Sequence, residues 1–435
     1  MGFNGLELDT MEHRIKNYEQ LATDTYRRDA LDIAEAGLEA IRTESIINNS
    51  IKIDGEYLHI NDEIFKLSDY RSVKVIGFGK ASSKAARALE KILGSRITAG
   101  IVIDKEPNTC ETIKVYRGTH PRPSLENFSV AKDIIALAEN PDEKDLFIVV
   151  VSGGGSALLC WPEAECLRGQ ELYDAFLKSG ETIKELNTVR KHISLVKGGG
   201  LAKILFPATV IGLIFSDIPG EYYDQVASGP TFIDASTKKE AEGIVESLNM
   251  AALETLGKLE LFETPKEKKY FEKVHNFVLV SNHTALEAMV NKAQELGYES
   301  KILDAENYES ADETISKLKI NHKSKSVILM GGEIRLKIDK LGGSGGRNSY
   351  LTSKAINKLE NSVLISLASD GTDNGESAGA IVDNTTLVRA QSLGIDFDDH
   401  IQRYDTYDLF EKLKGTIYTG PTGANVSDLI IYLIK

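Results

Sequence analysis

The most constraining feature of this sequence is a recurring pattern of a short apolar run, a glycine-rich or acidic corner, and a segment with helical spacing. Residues 146–151 are six apolar residues in a row, which is typical of a strand covered on both faces. This run leads directly into SGGGSA, and a second one at 209–215 ends in SDIPG. Strands that alternate with helices in this way predict an α/β protein made mostly of parallel sheets, with helices on both faces.

The same pattern runs through most of the chain. Helical spacing predicts an amphipathic helix at 29–42, and Asp54-Gly55 between alternating apolar positions predicts a small hairpin. A lysine- and glutamate-rich stretch at 236–271 has no strand signal and is the best candidate for a domain junction, so we predict domains at 1–255 and 256–435. Further strands are predicted at 73–76, 99–103, 113–116, 277–280, 327–330 and 363–368, and helices at 81–93 and at 125–138, where Ser124 is placed to cap.

Composition narrows the class of partner. The 51 basic and 65 acidic side chains give a net charge of −14 with no basic tract, which argues against nucleic acid. No apolar run approaches the ~20 residues of a membrane span. Cys110, Cys160 and Cys166 are an odd number without CxxC spacing, and we expect a reducing cytoplasm rather than a disulfide framework or a zinc site. A small molecule is therefore the expected partner, and a homodimer is left open.

The SGGGSA corner is the first candidate site. Its residues are Ser152, Gly153, Gly154, Gly155 and Ser156. Three glycines let backbone N–H groups approach an anion closely, and a helix starting there would favour negative charge. A tight strand-to-helix turn is the alternative explanation, but one or two glycines would suffice for it. We therefore predict phosphate binding.

The GFGKAS corner has two interpretations. G-x-G after a strand, with Asp104 ending the next strand, resembles a degraded dinucleotide motif, but Ser82 replaces the third glycine. The other interpretation makes Lys80 a cation that binds a substrate carboxylate or a transferring phosphoryl group. A solvated lysine is less favourable there, because a helix N-terminus repels positive charge.

The second half of the chain offers a cation and several acids. Arg347 follows a loop of four glycines and could bind an anion in a bidentate manner, unless the loop is simply a surface hairpin. Asp370 and Asp373 follow a buried strand and could hold Mg²⁺ or act as general base, or cap a turn. Asp217 of SDIPG has a similar position. His120 and His192 are isolated histidines, for which structural roles are expected.

Taken together, the ordered motifs resemble the glycerate 2-kinase family, whose C-terminal part is the MOFRL domain. They cover the chain from about residue 29 to its end, and no single one would be specific. The motifs are VIGFGKAS, THPRPS, VVVSGGGSALL, NTVRKHISLVKGGGLA, SDIPG, ASGPT, MGGE, GSGGRN, SDGTDNGESAGAIVD and TGPTGANVSDLI.

The resemblance implies ATP-dependent phosphorylation of D-glycerate to 2-phosphoglycerate with a divalent cation such as Mg²⁺. It implies two α/β domains, a Rossmann-like first and a smaller MOFRL-type second, with the active site in the cleft between them. By motif, the family's active-site lysine and arginine fall on Lys80 and Arg347, and its nucleotide loop on Gly153–Gly155. We predict Asp370 as a third catalytic residue, Gly331 and Gly332 as further nucleotide contacts, and Asp217 and Asp373 as metal ligands.

This sequence departs from the family pattern at three of its motifs. Ile334 and Arg335 follow GGE where threonines are usual, and Ser349 and Tyr350 follow GGRN where Gln-Glu is usual. SDIPG continues as EYYDQVASGPT, which changes the placement of the acids Glu221 and Asp224. Two other functions are kept as alternatives. One is a nicotinamide-dependent hydroxypyruvate reductase, against which the missing third glycine counts. The other is a non-catalytic glycerate-binding protein.

Overall fold

A computed structural model describes residues 13–179, 182–248, 259–320, 323–339 and 342–435. Contacts between Cα atoms divide these residues into two compact units. We call Ile41–Asn282 with Gly423–Val426 the parallel unit. We call the described residues up to Ala40, His283–Thr422 and Ser427–Lys435 the mixed unit. No helix among the described residues is both long and apolar enough to cross a bilayer.

The parallel unit is built around a six-stranded sheet in which every neighbouring pair of strands runs parallel. Its order, β6-β5-β4-β7-β8-β9, is the 3-2-1-4-5-6 order of a doubly wound Rossmann sheet. A small antiparallel sheet, β1-β2-β3, precedes it. The strands are β1 (Ile51–Asp54), β2 (Tyr57–Ile60), β3 (Glu63–Lys66), β4 (Ser72–Phe78), β5 (Ala99–Asp104), β6 (Ile113–Arg117), β7 (Asp145–Ser152), β8 (Thr209–Phe215) and β9 (Val274–Val280).

Burial explains this sheet. All eight residues of β7 and all seven of β8 are buried, as expected for central strands with helices on both faces. Phe147, Val149 and Val151 of β7 belong to its main apolar core. Among its described residues, the α-helices are Thr43–Ser50, Ser82–Leu93, Leu125–Leu137, Gly155–Leu158, Glu163–Ser179, Ile183–His192, Gly200–Leu205 and Lys238–Ser247.

The mixed unit holds a second six-stranded sheet, of order β10-β11-β15-β12-β13-β14. Here β10 and β11 are parallel, whereas β15 is antiparallel to both of its neighbours. The expectation of mostly parallel sheets is therefore wrong for this unit, because β12 and β13 form an antiparallel pair without a crossover helix. The strands are β10 (Glu299–Asp304), β11 (Ser326–Gly332), β12 (Ser362–Ala368), β13 (Gly379–Asp383), β14 (Thr416–Ile417) and β15 (Asp428–Ile434).

The N-terminal helix Thr25–Ala40 contacts β12 and β15 and so belongs to the mixed unit. Strand β9, in contrast, pairs with β8 in the parallel sheet. The units therefore differ from the predicted division at residue 255, since the sequence pattern does not say which sheet a helix or strand joins. The α-helices of the mixed unit are Tyr18–Leu21, Thr25–Ala40, Asn282–Glu295, Ala311–Leu318, Arg347–Ala355, Asn384–Ser392, Phe397–Gln402 and Thr406–Leu413.

Most predicted elements of the parallel unit are confirmed within a few residues. The predicted hairpin is the β1–β2 pair. Ser124 lies at the N-cap of Leu125–Leu137, but its hydroxyl accepts no capping hydrogen bond from the helix. Of the 236–271 stretch, Lys238–Ser247 is an α-helix and Lys268–Tyr270 a single 3₁₀ turn, while 249–258 lie outside the described residues.

Cys160 and Cys166 form a disulfide, with Cα atoms 5.4 Å apart. The expectation from the odd cysteine count is wrong for this pair. The chain turns between the single-turn helix Gly155–Leu158 and the helix Glu163–Ser179, and this turn brings the two residues together. Cys110 is free and half-buried.

Candidate anion-binding site

The point at which the strand order reverses, between β4 and β7, positions two glycine-containing loops side by side. In doubly wound sheets this is where ligands bind, at the carboxyl ends of the strands. The backbone N–H of Lys80, after β4, donates to the carbonyl of Gly153, after β7, at 2.9 Å. The Ser152 hydroxyl accepts the backbone N–H of Ala81 at 3.2 Å. The two motifs chosen from sequence therefore form one structure.

Two positions in these loops require glycine. Gly154 has a φ of +79°, and a Cβ on it would lie 2.9 Å from the Cδ2 atom of His120 and 3.4 Å from the Cγ atom of Lys80. Gly79 has a φ of +114°, and a Cβ there would overlap Ser152. Both positions require glycine for conformation and for close approach. The Lys80 side chain itself is exposed.

Asp217, after β8, lies beside the same loop. A Cβ on Gly153 would overlap its carboxylate, so the glycine leaves the space that this side chain occupies. On the other side, the hydroxyls of Ser156 and Ser228 are 2.8 Å apart. Lys80, Ser152–Ser156 and Asp217 are thus brought together in the parallel unit. We call this group the glycine-loop site.

The predicted helix after SGGGSA is only the single turn Gly155–Leu158. A helix of that length adds little dipole, since the effect depends on aligned peptide units. The expectation of anion binding at this loop must therefore rest on backbone amides and on Lys80.

His120 borders the glycine-loop site and is half-buried. Burial, with the nearby charges of Lys80, Lys105 and Arg190, lowers its pKa to about 4. The imidazole is therefore neutral at physiological pH and adds no positive charge. The sequence predicted a structural role for this isolated histidine. Its position in the THPRPS corner is the signal that could have placed it near the site.

Asp104 does not have the exposure that a ribose-binding acid needs. Its side chain is 1% exposed, and its carboxylate accepts the backbone N–H groups of Ser83 at 2.9 Å and Glu106 at 3.1 Å. Burial raises its pKa. Asp104 therefore holds the start of the Ser82–Leu93 helix, which removes one support for a dinucleotide site.

Arg347 begins a helix in the mixed unit and is already paired with acids. It forms ion pairs with Glu333, at 2.8 Å, and with Asp428. Burial raises the pKa of Asp428 to about 7, against the opposing effect of the Arg347 guanidinium. Neither acid was predicted from the sequence as a partner of Arg347, because nothing in their spacing shows that they meet it.

Asp373 and Asp370 occupy different settings. The buried Asp373 carboxylate accepts the backbone N–H groups of Asn348 at 2.9 Å and Ser349 at 2.8 Å, at the first turn of the Arg347–Ala355 helix. Asp370 is half-buried and accepts the N–H of Thr372 at 3.0 Å, as in an Asx turn. The turn-capping alternative therefore describes the contacts of both.

Gly331 and Gly332 end β11 and pack against another backbone segment. Gly332 has a φ of +131°, and a Cβ there would overlap the main chain of Asn307. The Gly331 carbonyl accepts the N–H of Asn307 at 2.9 Å. These contacts account for glycine at Gly332. The predicted nucleotide contact at either residue stays a prediction.

The fold is that of a two-domain α/β protein with glycine-rich loops at the carboxyl ends of Rossmann-type strands. Two family profiles match the chain: the "Domain of unknown function (DUF4147)" over residues 29–257 and the "MOFRL family" over residues 326–428.

Named relatives narrow the class further. The chain is 33% identical to a glycerate 2-kinase of Pyrococcus horikoshii, over 93% of this chain and 98% of that protein. It is 32% identical to a D-glycerate 2-kinase of Thermotoga maritima, over 94% and 99%. A crystal structure of a Thermotoga maritima glycerate kinase superposes with a TM-score of 0.80 at 28% identity, covering 94% of this chain and 99% of that one. The chain belongs to the glycerate 2-kinase family.

Proposed function

We propose that this protein transfers the γ-phosphoryl group of ATP to the 2-hydroxyl of D-glycerate. The observation that carries this function is similarity over almost the full length to proteins named glycerate 2-kinase. The hydroxyl oxygen attacks the γ-phosphorus, the bond to the β–γ bridging oxygen breaks, and ADP and 2-phosphoglycerate leave. The hydroxyl proton passes to a base, for which Asp370 is our candidate.

The glycine-loop site supports this proposal with residues suited to phosphates. Backbone N–H groups of Gly153–Gly155 would bind phosphate oxygens without side-chain obstruction. Lys80, whose main chain is tied to Gly153, would place its ammonium group against the transferring phosphoryl. Phosphoryl transfer depends mainly on positioning and on charge stabilisation, which is what such a loop and cation supply.

A magnesium ion fits the same site through Asp217. The space beside Gly153 brings this carboxylate against the glycine loop. Mg²⁺ bound with a nucleotide commonly takes one or two carboxylates plus phosphate oxygens and waters. When bound, the ion would neutralise charge on the β- and γ-phosphates. Asp373 fits less well, because its two oxygens already accept helix N–H groups.

A hydroxypyruvate reductase is not favoured. A protein of Agrobacterium vitis that carries this name is 32% identical over 83% of this chain. However, Asp104 is buried and bonded to backbone amides, so it does not present a carboxylate to a ribose.

The decisive experiment offers the purified protein D-glycerate with ATP and Mg²⁺, or hydroxypyruvate with NADH. We expect formation of ADP in the first mixture and no oxidation of NADH in the second. Phosphorus NMR of the product, together with direct conversion by enolase, distinguishes 2- from 3-phosphoglycerate. Oxidation of NADH without any ADP would contradict the proposal.

Asp370→Asn tests the proposed base, because it removes the charge but keeps the shape of the side chain. We expect lower turnover at saturating Mg²⁺. Full activity would mean that Asp370 only caps a turn.

A further inference from the structure

A small cavity of about 20 Å³ lies next to the glycine-loop site, within the parallel unit. About 10–15 Å³ is enough for one water molecule, so this cavity has room for one or two small polar groups but not for a nucleotide. Its lining includes Pro121, Pro123, Ser156, Tyr173, Arg190 and Lys197. We call it the Arg190 cavity.

The cavity shares a residue with the glycine-loop site and borders another. Ser156, which lines it, is two residues beyond Gly154. His120, next to the lining residue Pro121, approaches Gly154 and feels the charges of both Lys80 and Arg190. A small ligand held in this cavity would therefore lie close to the loop proposed to bind phosphates.

Other charges around the cavity are compensated. Glu165 forms an ion pair with Lys197 and also accepts the N–H of Trp161 at 2.9 Å. Lys197 donates in addition to the Leu159 carbonyl at 3.0 Å. Arg122, on the rim, is paired with Asp174 at 2.8 Å.

Arg190 is the exception. Its guanidinium donates to the Asn187 side chain at 3.4 Å and lies 5.9 Å from the centre of the Tyr173 ring. Among the described residues, no carboxylate is within ion-pair distance of it. Burial lowers its pKa, and the charge of Glu165, which lies beyond ion-pair distance, offsets part of this effect. A partly desolvated guanidinium without an ion-pair partner is less favourable than one that a bound carboxylate completes.

We infer that Arg190 binds the carboxylate of the hydroxy-acid acceptor in this cavity. The planar guanidinium matches a carboxylate through two parallel hydrogen bonds, and the Tyr173 ring supports its face. The Ser156 hydroxyl, which also lines the cavity, can add a hydrogen bond without adding charge. The inference rests on the proposed function for the identity of the acceptor, but not for the chemistry of the cavity, which selects a small carboxylate.

The test compares Arg190→Met and Arg190→Lys with the wild-type protein, and Arg168→Met serves as the control. Arg168 is a half-buried arginine that pairs with Glu171 at 2.6 Å and is not one of the residues lining the cavity, so its loss removes a nearby cation but not a lining residue. We expect the KM for D-glycerate to rise about 10–100-fold in Arg190→Met and by less in Arg190→Lys. The KM for ATP should stay within about twofold of the wild-type value in all variants, because Arg190 is inferred to contact the acceptor and not the nucleotide.

Two further measurements keep the result clear if Arg190→Met folds poorly. The ratio of kcat/KM for D-glycerate to that for methyl D-glycerate, which has no charge, is independent of the active fraction and should fall by at least about tenfold. The rise in Tm caused by D-glycerate alone should be lost in Arg190→Met and kept in Arg168→Met. An unchanged ratio and an unchanged Tm shift would overturn the inference.

The outcomes also separate this inference from the proposed function. If the wild-type protein phosphorylates D-glycerate but Arg190→Met retains its KM and its ratio, the function stands and the carboxylate site is wrong. If the wild-type protein transfers no phosphate yet D-glycerate raises its Tm only while Arg190 is present, the carboxylate site stands and the function is wrong.

Discussion

The two units of this protein each place a cation after a glycine-rich segment, but they treat it differently. In the parallel unit, Lys80 is exposed, and no described carboxylate is within ion-pair distance of it. In the mixed unit, Arg347 is already paired with Glu333 and with the buried Asp428. The first arrangement leaves positive charge for a ligand, whereas the second is compensated within the protein.

This difference changes what each cation can contribute. An uncompensated lysine beside backbone N–H groups can stabilise a phosphoryl group directly. An arginine held by two acids must exchange a partner or share itself before it can bind an anion. Because the pKa of Asp428 is raised to about 7, this acid is protonated below neutral pH, and its protonation would weaken the ion pair with Arg347. The two cations are therefore expected to differ in their response to pH.

The largest effect is expected from Lys80→Met, which should lower kcat by about 10²-fold or more if the ammonium supplies about 3 kcal/mol in the transition state. The matched control is Lys91→Met, which replaces an exposed lysine on the following helix.

Arg347→Met should also reduce kcat strongly. If both act on one transition state, the double variant loses less than the product of the single losses. Normal turnover in either single variant would refute its catalytic role.

A second expectation concerns the glycine loop. Gly154→Ala should raise the KM for ATP about tenfold, because the Cβ would crowd His120 and strain a positive φ. Gly55→Ala is the matched control, since Gly55 also has a positive φ, +56°, but has open space around it. Both variants should lose some thermal stability, whereas only Gly154→Ala should change nucleotide binding. If Gly154→Ala has the same KM for ATP as the wild-type protein, the loop is not part of the nucleotide site.

The mixed unit offers a third test through pH. Asp428 has a folded-state pKa of about 7 against an ordinary 3.8, so the folded protein holds its proton more tightly than the unfolded chain does. Stability from this group is fully present at low pH and is lost as the pH rises from about 4 to about 7. Asp428→Asn should remove this dependence, and its Tm relative to the wild type should improve by a few degrees between pH 5 and pH 8. A constant difference in Tm across that range would contradict this assignment.

The smallest effect is expected at His120, where the sign is reversed. Its folded-state pKa of about 4 is below the ordinary 6.5, so the stability it contributes is present above pH 6.5 and is lost as the pH falls towards 4. His120→Gln should remove this part of the acid sensitivity, by a few degrees in Tm at pH 5. His59→Gln, in the small sheet of the same unit, provides the comparison. If both variants follow the wild-type profile, His120 is not held neutral by the site.

Sequence reasoning succeeded where one segment carries its own signal. The apolar runs of β7 and β8 predicted buried strands, and SGGGSA and GFGKAS, each predicted as a candidate corner on its own, are in contact in the structure. Strand direction in the mixed unit was not predictable in this way, because an apolar run shows burial but not which neighbour it pairs with. Arg190 and Asp428 were missed for a related reason, since their importance depends on burial and on what lies around them.

The position of β15 has a consequence for how the protein is made. This strand lies in the interior of its sheet, between β11 and β12, although it is synthesised after both. The helix Thr25–Ala40, which packs against β12 and β15, leaves the ribosome about 390 residues before β15 does. At a synthesis rate of about 5–20 residues per second, roughly 20–80 s pass before β15 is made and the helix can pack against it. The parallel unit can fold during this time. Nascent chains stalled before β15 should therefore expose the apolar face of this helix and bind chaperones.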